Sequence, residues 1–206
     1  KEPACRFHAL YDKVYRADIL SHAYNLVCGN KGGAGIDGIT FEVIEAGEGV
    51  ATFLEELKEA LRNKTYQPDP VKRVMIPKKD GTKRSLGIPT IRDRVAQMAV
   101  KLVIEPIFEA DFCETSYGFR PKKSAHDAVD DVAYAMNRGY AEVIDADLSK
   151  YFDTIPHANL MIVVAERICD GALLRLIQAW LKAPVVEVDK DGKKRNIGGG
   201  KGNRKG

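Results

Sequence analysis

The sequence lacks any apolar run approaching the roughly 18 residues that a membrane span requires, and its start has no basic-then-apolar-then-small signal pattern. A soluble, intracellular protein with no membrane partner is therefore expected. Cysteine is scarce: Cys5, Cys28, Cys113 and Cys169 stand far apart, with no Cys-x-x-Cys pair and no histidine at ligand spacing. That argues against a zinc ribbon or a disulfide framework and leaves reduced, mostly buried thiols as the expectation. There is one tryptophan, Trp180, whose place between Ile177 and Leu181 suits a core. Net charge is weak, at +3, and by itself announces no polyanionic partner. What the 206 residues do have is a hydrophobic fraction of 45%, enough for a sizeable core in one large domain or two small ones. Lys1 in place of Met and the polar run 201–206 make both ends read as cuts.

Charge is unevenly placed. Between positions 72 and 94, eight basic residues (Lys72, Arg73, Lys78, Lys79, Lys83, Arg84, Arg92, Arg94) face only Asp80 and Asp93. From 190 to 206, seven Lys or Arg face Asp191 alone. Such clusters suit polyphosphate, and equally a solvated surface.

Apolar spacing predicts a helix over 18–28, with Asp18 as cap and Gly29 as stop, then a glycine-rich loop over 30–38 and an amphipathic helix over 50–61. The runs 71–76 and 84–88 flank an Asp80-Gly81 turn and predict a basic β-hairpin. Thr90 opens another helix, which Pro106 ends or kinks; Ser124 and Asp127 form a capping box for a helix that buries Val129, Val132, Ala133 and Met136 and stops at Gly139. Across 141–148 the period changes to two, with Ile144, Ala146 and Leu148 on one side and Val143, Asp145 and Asp147 on the other, which predicts a strand. Two helices follow, one with Leu160, Val163, Val164 and Ile168, the other with Leu173, Leu174, Ile177 and Leu181; a hairpin of 185–188 and 194–197 comes last.

Two carboxylates on one face of a strand are either solvated or neutralised by a cation such as Mg²⁺, which takes oxygen ligands. His126 and His157 have no nucleophile pattern near them and read as structural. Tyr117 and Phe119, beside Gly118 and Pro121, either stack on RNA bases or fix their own loop.

The stretch 146–155, Ala-Asp-Leu-Ser-Lys-Tyr-Phe-Asp-Thr-Ile, resembles motif A of reverse transcriptases. Four further stretches agree in type and order. Residues 11–40, with Asn30-Lys31-Gly32 and Gly35-Ile36-Asp37-Gly38, resemble the N-terminal extension of group II intron-encoded enzymes. Residues 66–94 and 102–127, the latter with Ser116-Tyr117-Gly118-Phe119-Arg120-Pro121, resemble the two fingers motifs, and Trp180-Leu181-Lys182-Ala183 resembles the helix leading to the next palm motif.

The resemblance implies an α+β fold, a right-hand polymerase with fingers over 1–140 (extension 1–45, basic hairpin 71–89) and an incomplete palm over 141–206. It implies Asp147 as the catalytic metal ligand, joined by the Leu148 carbonyl, with Mg²⁺ as cofactor. Lys78, Arg84, Lys150 and Tyr151 are implied to bind the incoming deoxynucleoside triphosphate, and Phe152 to be the gate against ribose. For RNA, the expected contacts are Lys31, Arg92, Arg94, Arg120 and Lys122. The implied partners are template and intron RNA and a DNA primer or product, and the implied activity is RNA-directed DNA synthesis with assistance to intron splicing and mobility. The family's Thr-Pro-Gln-Gly-Gly and Tyr-Ala-Asp-Asp motifs do not occur here. One carboxylate strand cannot clamp both oxygens of a two-metal displacement, so these residues alone are expected not to polymerise. Alternatives are an RNA-binding maturase module, a homodimer through fingers helices, and a diversity-generating or CRISPR-linked reverse transcriptase.

Overall fold

The computed structural model describes residues 5–77, 79, 81–148, 151–188 and 194–198. Helices α1 (Tyr11–Val14) and α2 (Ala17–Gly29) precede the glycine-rich loop, and α3 (Phe41–Ala46) and α4 (Gly49–Arg62) follow it. Asp18 does not cap α2. Arg16 holds that position, and Asp18 sits in the first turn, paired with Arg16 at 2.7 Å, where its charge suits the positive helix end. The apolar stripe of α4 buries Leu57 and Leu61 completely.

Strands β1 (Val71–Pro77) and β2 (Lys83–Ile88) form the expected antiparallel hairpin, with Gly81 at φ +81° in its connection. Next comes α5 (Ile91–Glu109), capped by Thr90, whose Oγ1 accepts from the Asp93 N–H at 3.2 Å. It runs through Pro106, which marks its last turn without stopping it. The capping box of α6 (Ala125–Asn137) is present in both directions: the Ser124 N–H donates to Asp127 Oδ2 at 2.7 Å, and the Asp127 N–H to Ser124 Oγ at 3.2 Å. The chain continues through α7 (Tyr151–Thr154), α8 (His157–Arg167), α9 (Gly171–Lys182), β3 (Val185–Val188) and β4 (Lys194–Gly198).

The last hairpin does not stand apart. Strand β3 pairs in parallel with β1, Val71 opposite Val185, and joins both hairpins into one sheet of order β2-β1-β3-β4. On the helical side, α2 packs along α5, and Leu20, Val27, Leu57, Leu61, Val95 and Ala99 share a core with Ile168, Leu173 and Trp180. Segments far apart in sequence thus fold as one body around the root of the first hairpin.

The cysteines are not buried as expected: Cys5 and Cys113 are exposed, and Cys28 and Cys169 are half-buried. Two further expectations fail. Residues 141–148 form no strand, and the side meant to be covered is open, with Ile144 96% and Leu148 70% exposed. Helix α6 forms but buries none of its residues; Val129, Val132 and Met136 are all exposed. The cause is common to both. Alternation and helical spacing report which side of an element is apolar, and burial needs a second surface that no described residue supplies here. Among the described residues, no helix is long and apolar enough to cross a membrane.

Candidate nucleic-acid interface

Pairing in the hairpin fixes where its cations point. Register places Arg84 opposite Ile76 and Lys72 opposite Ile88, so these two basic residues share one face, while Arg73 and Lys83 share the other. Arg84, Lys83 and Lys79 are exposed, whereas Ser85 beneath them is buried. The hairpin is therefore rooted in the core and cationic toward its tip. Lys78 lies outside the described residues.

The root is held by a buried polar network that spacing did not reveal. The Tyr66 hydroxyl donates to Asp93 Oδ1, and the Trp180 indole N–H donates to Tyr66 Oη at 3.0 Å. The Asp69 N–H donates to Asp93 Oδ2 at 3.0 Å, just before β1 begins. Arg92 lies 5.0 Å from the centre of the Tyr66 ring. Burial pushes the Asp93 carboxyl above its usual range, with the Tyr66 hydrogen bond acting against that rise. Burial beside Asp93 likewise pushes the Tyr66 hydroxyl far up, so it remains a donor. The only hint in the sequence was Thr90-x-x-Asp93, which reads as a capping box; in the structure the Asp93 carboxylate is engaged by Tyr66 and Asp69 instead.

The glycine-rich loop lies against the start of α5. A Cβ on Gly35 would come within 2.6 Å of the Thr90 Cα, so only glycine allows this approach. Arg94 reaches from α5 to donate to the Gly33 carbonyl at 2.7 Å, and its guanidinium lies 5.8 Å from the Phe41 ring centre. Lys31 is exposed and at φ +47°, and a Cβ on the adjoining Gly32 would run into an Arg94 guanidinium nitrogen. Two expected RNA contacts thus border the same loop.

A third group surrounds the loop before α6. Arg120 is nearly buried and donates to Glu109 at 2.6 Å and to the carbonyls of Cys113 and Ser116 at 2.6 and 2.8 Å. This arginine shapes the loop. Lys122 is exposed at φ +60°, and the Phe119 ring is 97% exposed. Tyr117 donates to Asp131, which pushes its hydroxyl up to about 12, so Tyr117 ties the loop to α6.

Asp145 and Asp147 are exposed and make no ion pair or side-chain hydrogen bond among the described residues. Among the described residues no three His, Cys, Asp or Glu side chains converge as a metal site. Tyr151 opens α7; Lys150 and the Phe152 side chain lie outside the described residues.

Residues 76–202 match the family model described as reverse transcriptase (RNA-dependent DNA polymerase). The chain belongs to the reverse transcriptase family. It is 38% identical over 194 residues to Protein YkfC of Escherichia coli (strain K12), covering 91% of this chain and 50% of that protein. It is 35% identical over 184 residues to the group II intron-encoded protein LtrA of Lactococcus lactis subsp. cremoris, covering 88% of this chain and 30% of LtrA. A chain of the partial Cas6-RT-Cas1--Cas2 complex shares the fold, with a TM-score of 0.50 and 20% identity over 92% of this chain and 32% of that one. The chain spans half or less of the length of these curated relatives. Because the similarity to LtrA covers 88% of the chain, it extends ahead of the reverse transcriptase match, which begins at residue 76.

Proposed function

We propose that this chain is the substrate-gathering part of a group II intron-type reverse transcriptase, an RNA-directed DNA polymerase that also assists the splicing and mobility of its intron RNA. In this reading residues 1–140 are fingers and 141–206 begin the palm. The observation that carries it is the cationic hairpin rooted in the core by the Tyr66–Asp93–Trp180 network, in a chain whose residues 76–202 match the family. A rooted strand pair can hold charge at a fixed place, as triphosphate binding requires.

Arg84 and Lys78 neutralise the phosphates of a deoxynucleoside triphosphate from the hairpin side. Lys150 and Tyr151 meet it through backbone N–H groups, and Phe152 bars a 2′-hydroxyl. Asp147 and the Leu148 carbonyl are partial ligands for Mg²⁺, which stabilises charge on the reacting phosphate when bound. Lys31, Arg92, Arg94 and Lys122 contact the template and intron RNA, with Arg120 ordering the loop that presents Lys122. The protein works in the cytoplasm.

In a protein carrying the full length of the relatives, Arg84→Ala raises the KM for deoxynucleotides by about tenfold, since a charge-assisted contact is worth ~1.5 kcal/mol or more. RNA affinity in filter binding stays near the parent value. An unchanged KM contradicts the placement of the triphosphate under the hairpin. A second reading, an RNA-binding maturase module, draws on the loop around Lys31, which is pinned to α5 without help from Asp147.

A further inference from the structure

Between the end of α2 and the middle of α5 lies a cavity of about 250 Å³ lined by Val27, Asn30, Arg94, Gln97, Met98 and Lys101. That is room for about eight water molecules at ~30 Å³ each, or for one flat heterocycle. Its chemistry is sorted. Val27 and Met98 are apolar; Asn30 and Gln97 are amides; Arg94 and Lys101 are cations.

Neither amide has a side-chain hydrogen bond among the described residues, so each offers a donor and an acceptor together. Arg94 is held by the Gly33 carbonyl, and its buried Nε has no hydrogen-bond partner among the described residues, so it can donate to a ligand. Among the described residues Lys101 pairs with Glu105 alone, at 3.2 Å and largely in solvent, where such a pair is weak and easily exchanged for a phosphate. An apolar wall, free amides and flanking cations are what an unstacked nucleotide needs: a surface for the ring, partners for the base edge, and charge for the backbone.

We propose that this cavity receives a single unstacked base of single-stranded RNA, with adenine preferred, because an Asn or Gln amide matches the donor and acceptor on the N6/N7 edge of adenine. The inference rests on the RNA-binding reading above and adds a site of base readout to it. Gln97 reads the base edge with Asn30, while Lys101 holds the adjoining phosphate and carries no base preference.

The test is fluorescence anisotropy of the 206-residue chain with uridine-rich RNA oligonucleotides bearing one central A, C, G or U, at several salt concentrations. The A-bearing strand is expected to bind about tenfold more tightly than the U-bearing one. Gln97→Leu, at a half-exposed site of similar volume, removes that preference without changing the salt slope. Asn30→Ala, at an exposed helix end, gives the same loss of preference. Lys101→Met weakens all four strands alike and lowers the salt slope by about one. Thermal melting of each variant verifies that it is folded. Binding without base preference, or a preference that survives both amide substitutions, overturns the pocket and leaves the RNA-binding reading standing. No RNA binding at all overturns both.

Discussion

Asp170 does two structural jobs with one carboxylate. Its Oδ1 caps α9 by accepting from the N–H groups of Ala172 and Leu173 at 3.0 and 3.2 Å, and its Oδ2 accepts from Leu10 and Tyr11 at 2.9 and 2.8 Å. Burial pushes this carboxyl up, but the four donors together hold it below the usual aspartate range. Asp170→Ala is expected to cost about 2 kcal/mol or more in urea unfolding at neutral pH, since it removes a helix cap and leaves the α1 donors unpaired. Because the folded pKa lies below the unfolded one, this stabilisation is fully present above the ordinary aspartate range and is lost as pH falls through the folded value. The gap between wild type and variant should therefore close on acidification, and a pH-independent gap contradicts the charge-based account. Asp93 titrates in the opposite sense: its raised carboxyl favours the protonated form, so its ionisation draws on stability as pH rises. Tyr66→Phe removes the donor that eases that ionisation and leaves the Trp180 N–H without its acceptor. The expected cost is about 3 kcal/mol at neutral pH, shrinking at pH values below the folded pKa of Asp93.

Among the elements, α6 has a complete capping box and no buried side chain, whereas α2 and α5 are packed against each other. Amide hydrogen exchange should show α6 opening locally, with protection at least about tenfold below that of α2 and α5; equal protection contradicts the packing described here. The same contrast explains what was legible in the sequence. Local signals were enough for α4, for the β1–β2 hairpin with Gly81 at its turn, for the Thr90 cap of α5 and for the Ser124–Asp127 box, because each depends on residues within a few positions of one another. The pairing of Val71 with Val185 and the convergence of Tyr66, Asp93 and Trp180 join distant segments, and no local period records them. The alternation over 141–148 was a true property of the side chains that finds no covering surface among the described residues. For the interface, the basic hairpin and the Lys31 loop could be read directly from charge and glycine content. The engagement of Arg120 by Glu109 and two carbonyls could not, since an arginine in sequence carries no mark of its partner.

At the scale of the whole molecule, the two hairpins share one sheet and the helices share one core, so the cationic tip, the glycine loop and α5 are held as a single framework. In the proposed enzyme such a framework gathers phosphate charge, and the carboxylate of Asp147 meets that charge through metal. The central claim is thus a division of labour, with RNA held by basic residues of the fingers and chemistry dependent on Asp147. It is tested most directly by RNA-templated cDNA synthesis in a protein of the relatives' full length carrying Asp147→Asn, with RNA filter binding measured on the same preparation. The account predicts that cDNA synthesis falls by at least about a hundredfold, as loss of a charge-stabilising metal ligand requires, while RNA affinity stays within about twofold. Substantial cDNA synthesis by the variant, or RNA binding lost along with synthesis, contradicts it.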